Sequence, residues 1–262
     1  MMQMDGEKML KGKKILVMGV ANQRSIAWAI AKACADAGAE LAFSYQNERF
    51  KGKVEKLVEE EMPGSLLVPC DVTEDGEIEG LATTLKEKWG VLHGVVHSLA
   101  YAKTEELEGM FVNTSREGFL LAQNISAYSL TAVSNRLYPL MNEGGSIITL
   151  TFQGSERVIP NYNVMGVAKA SLEASVRYLA SDLGSNGIRV NAVSAGPIRT
   201  LSAKGVKDFN RLLEGVEEKT PLRRLAGAEE VAQTALFLIS DFSSAVTGTI
   251  LYADCGYNIM GV

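Results

Sequence analysis

The chain has 262 residues, 47% hydrophobic and 22% charged, with a formal net charge of −5 and a pI near 5.3. That composition excludes a disordered chain, and its acidic balance leaves no basic footprint for nucleic acid. Three scattered cysteines (Cys34, Cys70, Cys255) and two histidines (His93, His97) fit neither a disulfide framework nor a four-ligand metal site, so no metal is expected. The first stretch, MMQMDGEKMLKGKK, is charged rather than a secretory signal, and no apolar run approaches the roughly 20 residues needed to cross a bilayer. The expectation is a reduced, cytoplasmic protein with no membrane or nucleic-acid partner.

Along the chain, short apolar runs alternate with longer amphipathic stretches. KILVMGV (14–20) reads as a buried strand, and SIAWAIAKACADAG (25–38) sets Ile26, Ile30, Ala33 and Ala37 on one helical face before closing at Gly38. ELAFSY (40–45) is a strand, ERFKGKVEKLVEEE (48–61) a helix with a charged outer face, and SLLVPCDV (65–72) a third strand. Residues 74–90 read as helix, 91–98 as strand, 115–141 as mostly helix, 145–151 as strand, 162–184 as helix, 187–195 as strand, 228–240 as helix and 249–253 as a last strand. Strand–helix alternation with near-continuous apolar strands predicts one doubly wound α/β domain over 1–262, with about seven parallel strands and helices on both faces. The interruption at 196–225, rich in Gly and Pro with small helical pieces, follows a strand where a substrate lid would sit.

Four stretches fall at carboxyl ends of predicted strands, the edge where ligands bind in open α/β sheets. After the first strand, MGVANQRSIAWAI offers Gly19, a tight turn and a helix start, which together suit a pyrophosphate. Its remaining glycine positions are filled by Gln23 and Ser25; the Ser25 hydroxyl can donate to a phosphate, or simply cap the helix. In CDVT (70–73), Asp71 can reach an adenine amino group, or cap the next helix. HSLAYA (97–102) is small enough for a ribose to approach, and the backbone of SAGPIRT (194–200) can pair with a carboxamide. No acidic residue stands at 45–47 to take a ribose 2′-hydroxyl and no basic one to take a phosphate; with Gln46 there, the reading leans to NADH over NADPH.

NYNVMGVAKA (161–170) carries Tyr162 and Lys169, seven residues apart. On a helix seven residues make two turns less about 20°, so the two share a face roughly 10 Å apart along the axis. A phenol is a weak acid and a good donor to a developing oxyanion, and an ammonium beside it can hold cofactor hydroxyls. The plain alternative is a core tyrosine with a surface lysine. Small residues at Ala168, Ser171, Ala174 and Ser175 make this helix a candidate for packing between subunits.

GVANQRSIAWAIA, CDVT, SREGFLLAQNIS, NYNVMGVAKASLEASVRYLA and IRVNAVSAGPIRTLSAKG closely resemble bacterial NADH-dependent enoyl-acyl-carrier-protein reductases, over roughly 12–262. Ketone-reducing relatives carry Tyr-x-x-x-Lys, with a serine thirteen before the tyrosine; here those places hold Met165 and Phe152. The resemblance implies a Rossmann-type fold and hydride transfer to the β-carbon of a trans-2-enoyl thioester. In it Tyr162 looks like the donor to the thioester oxygen and Lys169 like the residue holding the ribose hydroxyls. It implies cofactor positions at Gly19, Ser25, Ile26, Gln46, Asp71, Val72, Leu99, Ile198 and Thr200. The acyl pocket would involve Tyr101, Ala102, Tyr162, Met165, Val206, Phe209 and Leu212, although Met165 also reads as core. Lys207 and Arg211 match positions that would receive the acidic carrier protein, and equally suit a solvated helix face. The family is typically tetrameric and usually has a tyrosine where this chain has Phe152. On the residues alone, a ketone or alcohol oxidoreductase and a non-catalytic dinucleotide-binding protein stay open as alternatives.

Overall fold

The computed structural model describes residues 8–142, 144–198 and 209–261, with backbone alone at 209–212 and 214. The chain runs β1 (Lys14–Met18), α1 (Ile26–Asp36), β2 (Glu40–Tyr45), α2 (Glu48–Glu61), β3 (Leu66–Pro69), α3 (Asp75–Trp89) and β4 (Gly94–His97). It continues through α4 (Arg116–Gln123), α5 (Ser129–Leu137), β5 (Gly145–Thr151), α6 (Asn163–Leu183), β6 (Ile188–Ala195), α7 (Phe209–Lys219), α8 (Ala228–Ile239) and β7 (Ile250–Ala253). The seven strands form one parallel sheet in the order β3-β2-β1-β4-β5-β6-β7.

The alternation of side chains along β1 explains why a continuous apolar run was needed. Ile15 and Val17 enter a core cluster with Trp28 and Ile30 of α1, Val54 of α2 and Val231 of α8. Leu16 and Met18 point the other way, into a cluster with Leu81 of α3, Leu130 of α5 and Leu172 of α6. Strand side chains alternate between faces, so both faces are covered by helices and every position must be apolar. Each such fully buried side chain contributes about 1.5–3 kcal/mol relative to exposure.

The predicted ends shift where single residues leave the ladder. β1 stops at Met18 because Gly19 takes φ 94. β4 begins only at Gly94, because the amide of Leu92 bonds the Leu140 carbonyl and that of His93 the Lys14 carbonyl. α1 closes as expected, with Gly38 at φ 95 just past its cap. The stretch 115–141 is mostly helix, as expected, with a π turn over Asn124–Tyr128 between α4 and α5. Within 196–225 the structure describes α7, whose Leu213 and Val216 are buried.

The order in which successive strands are added across the sheet reverses between β1 and β4, which run parallel with Met18 paired to His97. That switch point opens a crevice beyond the carboxyl ends of the strands. Among the described residues, no helix is long and apolar enough to cross a membrane.

Candidate active site

The switch point brings Gly19 against Ser98. The Ser98 amide bonds the Met18 carbonyl at 3.2 Å, and a Cβ added to Gly19 would overlap the Ser98 carbonyl. Only glycine combines that approach with φ 94. Ser25 stands at the N-cap of α1 but does not cap it. Its oxygen turns back into the loop and accepts the amides of Ala21 and Asn22, each at 3.1 Å. With its oxygen serving the loop, the hydroxyl proton is left as a donor, and the first amides of α1 are left to a ligand. The residues present therefore fit a pyrophosphate: a Cβ-free strand end, a hydroxyl with its proton left to donate, and a helix start with no side-chain cap.

Ile26, the first residue of α1, packs at the edge of the core. Gln46, exposed after β2, donates through Nε2 to Asp71 Oδ2 at 2.9 Å, so the two residues singled out for the adenosine end meet directly. Asp71 does not cap α3, whose N-cap is Glu74. Its other oxygen accepts the amide (2.9 Å) and hydroxyl (2.8 Å) of Thr73. Burial alone would push this carboxyl up, but the bonds from Thr73 and Gln46 outweigh it and hold the pKa below the ordinary aspartate range. Val72 is core, so only its backbone can face a ligand; Leu99 and Ile198 lie half-buried at the rims of the two main cores. Thr200, Val206 and Lys207 lie outside the described residues, and Phe209, Arg211 and Leu212 are described as backbone of α7 only.

Tyr162 is the N-cap of α6, and its carbonyl accepts the amides of Met165 (2.9 Å) and Gly166 (3.3 Å). The register that places residues 162 and 169 two turns apart therefore extends to the tyrosine. Asn161 and Asn163 flank it at φ 61 and 26, a region asparagine tolerates better than most residues. Asn163 is tied down by bonds from its amide nitrogen to the carbonyls of Glu108 and Gly109. The phenol ring meets Phe152 edge to face, centroids 5.1 Å apart, and a Cβ on Gly154 would strike it at 2.5 Å. Phe152 thus braces Tyr162. Burial, reinforced by the Glu173 carboxylate, pushes the phenol above its ordinary value. Tyr162 stays protonated and can donate, but does not serve as a base.

Lys169 is not on the surface. It is 6% exposed, and its ammonium donates to the Leu150 carbonyl at 2.7 Å, leaving two further donors. Burial brings its pKa down to about 8, against the opposing pull of Glu173. Glu173, buried one turn on in α6, accepts from Thr151 Oγ1 at 2.5 Å. His97, at the end of β4, is fully buried between Thr149 Oγ1 (2.9 Å) and Ser129 Oγ (2.8 Å). Burial, then the Lys169 charge, lowers its pKa to about 3, so the ring is neutral. Sequence reasoning gave no role to Glu173 or Thr151, and took His97 only as the start of the stretch a ribose would approach. Glu173 stands four residues after Lys169, a spacing that could have found it; the other contacts have no local signal.

Met165 joins a small core with Leu107, Val164 and Ala168, against which Ala102 and Tyr162 pack. Ala168 is therefore core and not on the outward face of α6. Tyr101 is exposed and Ala102 half-buried. A concavity of about 600 Å³ lies away from this crevice, between Leu120, Tyr128, Ser171 and Ser175 on the outer side of α4–α6.

Residues 19–258 match the protein family described as enoyl-(acyl carrier protein) reductase. Over 255 residues the chain is 58% identical to the NADH-dependent enoyl-acyl-carrier-protein reductase of Bacillus cereus, covering 97% of this chain and 100% of that one. It is 51% identical over 250 residues to the NADPH-dependent enzyme of Staphylococcus aureus, covering 95% and 98%. The solved structure of the Bacillus cereus reductase with NADP+ and an indole naphthyridinone superposes with a TM-score of 0.96 at 57% identity, covering 97% of this chain and 100% of that one. The Anaplasma phagocytophilum reductase in complex with NAD gives 0.93 at 47% identity, covering 97% of each chain.

Proposed function

The chain belongs to the enoyl-acyl-carrier-protein reductase family, and from that premise we propose which of its residues do the work. The protein reduces the carbon–carbon double bond of trans-2-enoyl-acyl-carrier-protein thioesters with a nicotinamide cofactor, the last reductive step of fatty-acid elongation. The bound nicotinamide supplies a hydride to the β-carbon. Tyr162 donates a hydrogen bond to the thioester oxygen, where negative charge gathers as the double bond is lost, and a proton then reaches the α-carbon to complete the reduction. Lys169, with one donor spent on Leu150, offers the other two to the ribose hydroxyls. The pyrophosphate is held by Ser25 and the start of α1 beside Gly19; Asp71 with Gln46 takes the adenosine end; Ile26, Val72, Leu99, Ile198 and Thr200 complete the cofactor side. Tyr101, Ala102 and Met165 border the acyl chain, with Val206, Phe209 and Leu212 from a lid at 196–225.

One observation carries this reading. A protonated phenol is braced at the start of the helix whose next two turns present a buried ammonium, while no serine stands where a ketone would be polarised. The test is Tyr162→Phe. Turnover of an enoyl thioester should fall by about 10²-fold or more, the range for one lost oxyanion donor, with cofactor affinity within twofold. Unchanged turnover would overturn the assignment.

NADH is the proposed cofactor. The end of β2 carries no cation at 45–47, and the Gln46 amide is committed to Asp71, which leaves nothing there to neutralise a 2′-phosphate. We propose further that Lys207 and Arg211 meet the carrier protein, that 1–262 form a single domain and that the enzyme is a cytoplasmic homotetramer. Exposed Leu120, Tyr128 and Tyr178 on the outer side of α4–α6 support association there.

A further inference from the structure

The π turn between α4 and α5 has no role in the functions assigned above, yet it grips the segment that runs from β4 into the crevice. Its Ser126 is fully buried. The Ser126 hydroxyl accepts the amide of Tyr101 at 2.9 Å and donates to the carbonyl of the same residue at 3.1 Å. One side chain thus satisfies both backbone groups of a residue that lies outside any strand or helix. Three residues on, Ser129 meets His97 Nε2 at 2.8 Å and donates back to the Ile125 carbonyl inside the turn at 2.6 Å. Ser126 lies in the turn and Ser129 opens α5 directly after it, so together they hold both ends of segment 97–101. Between those ends lie Ser98, whose carbonyl sits against Gly19, and Leu99. A five-residue turn is costly in a helix and is kept mainly where a site needs its geometry.

We propose that Ser126 is a positioning residue of the reductase: through Tyr101 it sets the wall of the acyl pocket. This rests on the reading of Tyr101 and Ala102 as pocket residues. The hydroxyl touches neither substrate nor cofactor. It fixes backbone beforehand, so that a substrate does not have to order the loop on binding. Its loss should therefore act on thioester binding more than on the chemical step.

The experiment compares Ser126→Ala with Ser134→Ala in the intact enzyme, assayed with a crotonyl thioester. Ser134 is also buried, in α5, and its hydroxyl has no partner among the described residues, so it controls for removing a buried hydroxyl. Without the hydroxyl that bonds both backbone groups of Tyr101, Ser126→Ala should raise the thioester KM about tenfold, with kcat and cofactor affinity within about twofold. Its melting temperature should lie only about 2–4 °C below that of Ser134→Ala, which keeps wild-type kinetics. If Ser126→Ala does not fold, Ser126→Cys keeps the bulk with only a weak donor and should show the same rise in KM. An unchanged KM, or a loss spread equally over KM, kcat and cofactor affinity, would overturn the proposal. Ala102→Leu separates the two levels. If Ala102→Leu raises the thioester KM and Ser126→Ala does not, the positioning role alone fails; if Ala102→Leu also leaves KM unmoved, the pocket reading fails and takes the proposal with it.

Discussion

On the β2–β3 side of the crevice, Gln46 and Asp71 meet in partly open surroundings; on the β5 side, Lys169 and Glu173 lie in the core one helical turn apart. The first pair is solvated when no ligand is present, so removing a member costs a ligand contact and little else. The second pair has left water, and each group depends on fixed partners, the Leu150 carbonyl and the Thr151 hydroxyl. Removing one of those groups should alter proton affinity and stability as well as binding. The exposed pair can thus act through affinity alone, whereas the buried pair also couples proton binding to stability.

Substitutions at the two ends should separate in kind as well as in size. The largest effect on the cofactor side is expected at the strand end: Gly19→Ala should weaken cofactor binding by about two orders of magnitude or more, because the added methyl overlaps the Ser98 carbonyl at a strained φ. Titrating the cofactor by fluorescence checks this, and near-wild-type affinity would show that the crevice is not where we assign it.

Next comes the pH dependence of Lys169. Cofactor affinity should fall as pH rises through about 8 and the ammonium is lost. Glu173→Gln should move that fall to lower pH, since Glu173 supports the charged form against burial. The sign for stability is opposite. Folding lowers this pKa from 10.5 to about 8, so between those values the unfolded chain binds more protons, and the Lys169 contribution to stability rises with pH. Replacing Lys169 by Met should flatten that rise in denaturant titrations across the window.

Smaller effects belong to the exposed pair. Gln46→Ala should weaken cofactor binding only about threefold, and it should leave melting unchanged, as for a typical net hydrogen bond at an accessible site. Smallest is Phe152→Tyr. The aromatic brace on Tyr162 survives that change, so turnover should stay within about threefold. A rise by orders of magnitude would mean that the hydroxyl missing from Phe152 matters more than the brace.

The sequence made the frame of this site readable for physical reasons. β2, α2 and β5 match their predicted bounds to the residue, because their apolar periodicity changes abruptly at polar or glycine residues. Gly19, Asp71 and Tyr162 were visible because strand ends and helix starts are local signals. What stayed hidden is long-range or counts against propensity. Ser126 and Ser129 act on residues 25 and 32 positions away, and nothing in NISAY distinguishes a π turn from an α-helix. The burial of Lys169 was equally hidden, because a lysine at helical spacing reads as solvated until the strand carbonyl opposite it is known.

We propose that the seven-residue spacing of Tyr162 and Lys169, with methionine and phenylalanine where ketone chemistry would need tyrosine and serine, directs this site to carbon–carbon double bonds. Following NADH oxidation by one preparation, with crotonyl thioester and acetoacetyl thioester in parallel, tests that most directly. The account predicts steady oxidation with the enoyl substrate and none above background with the ketone. Comparable rates on both, or reduction of the ketone alone, would contradict it.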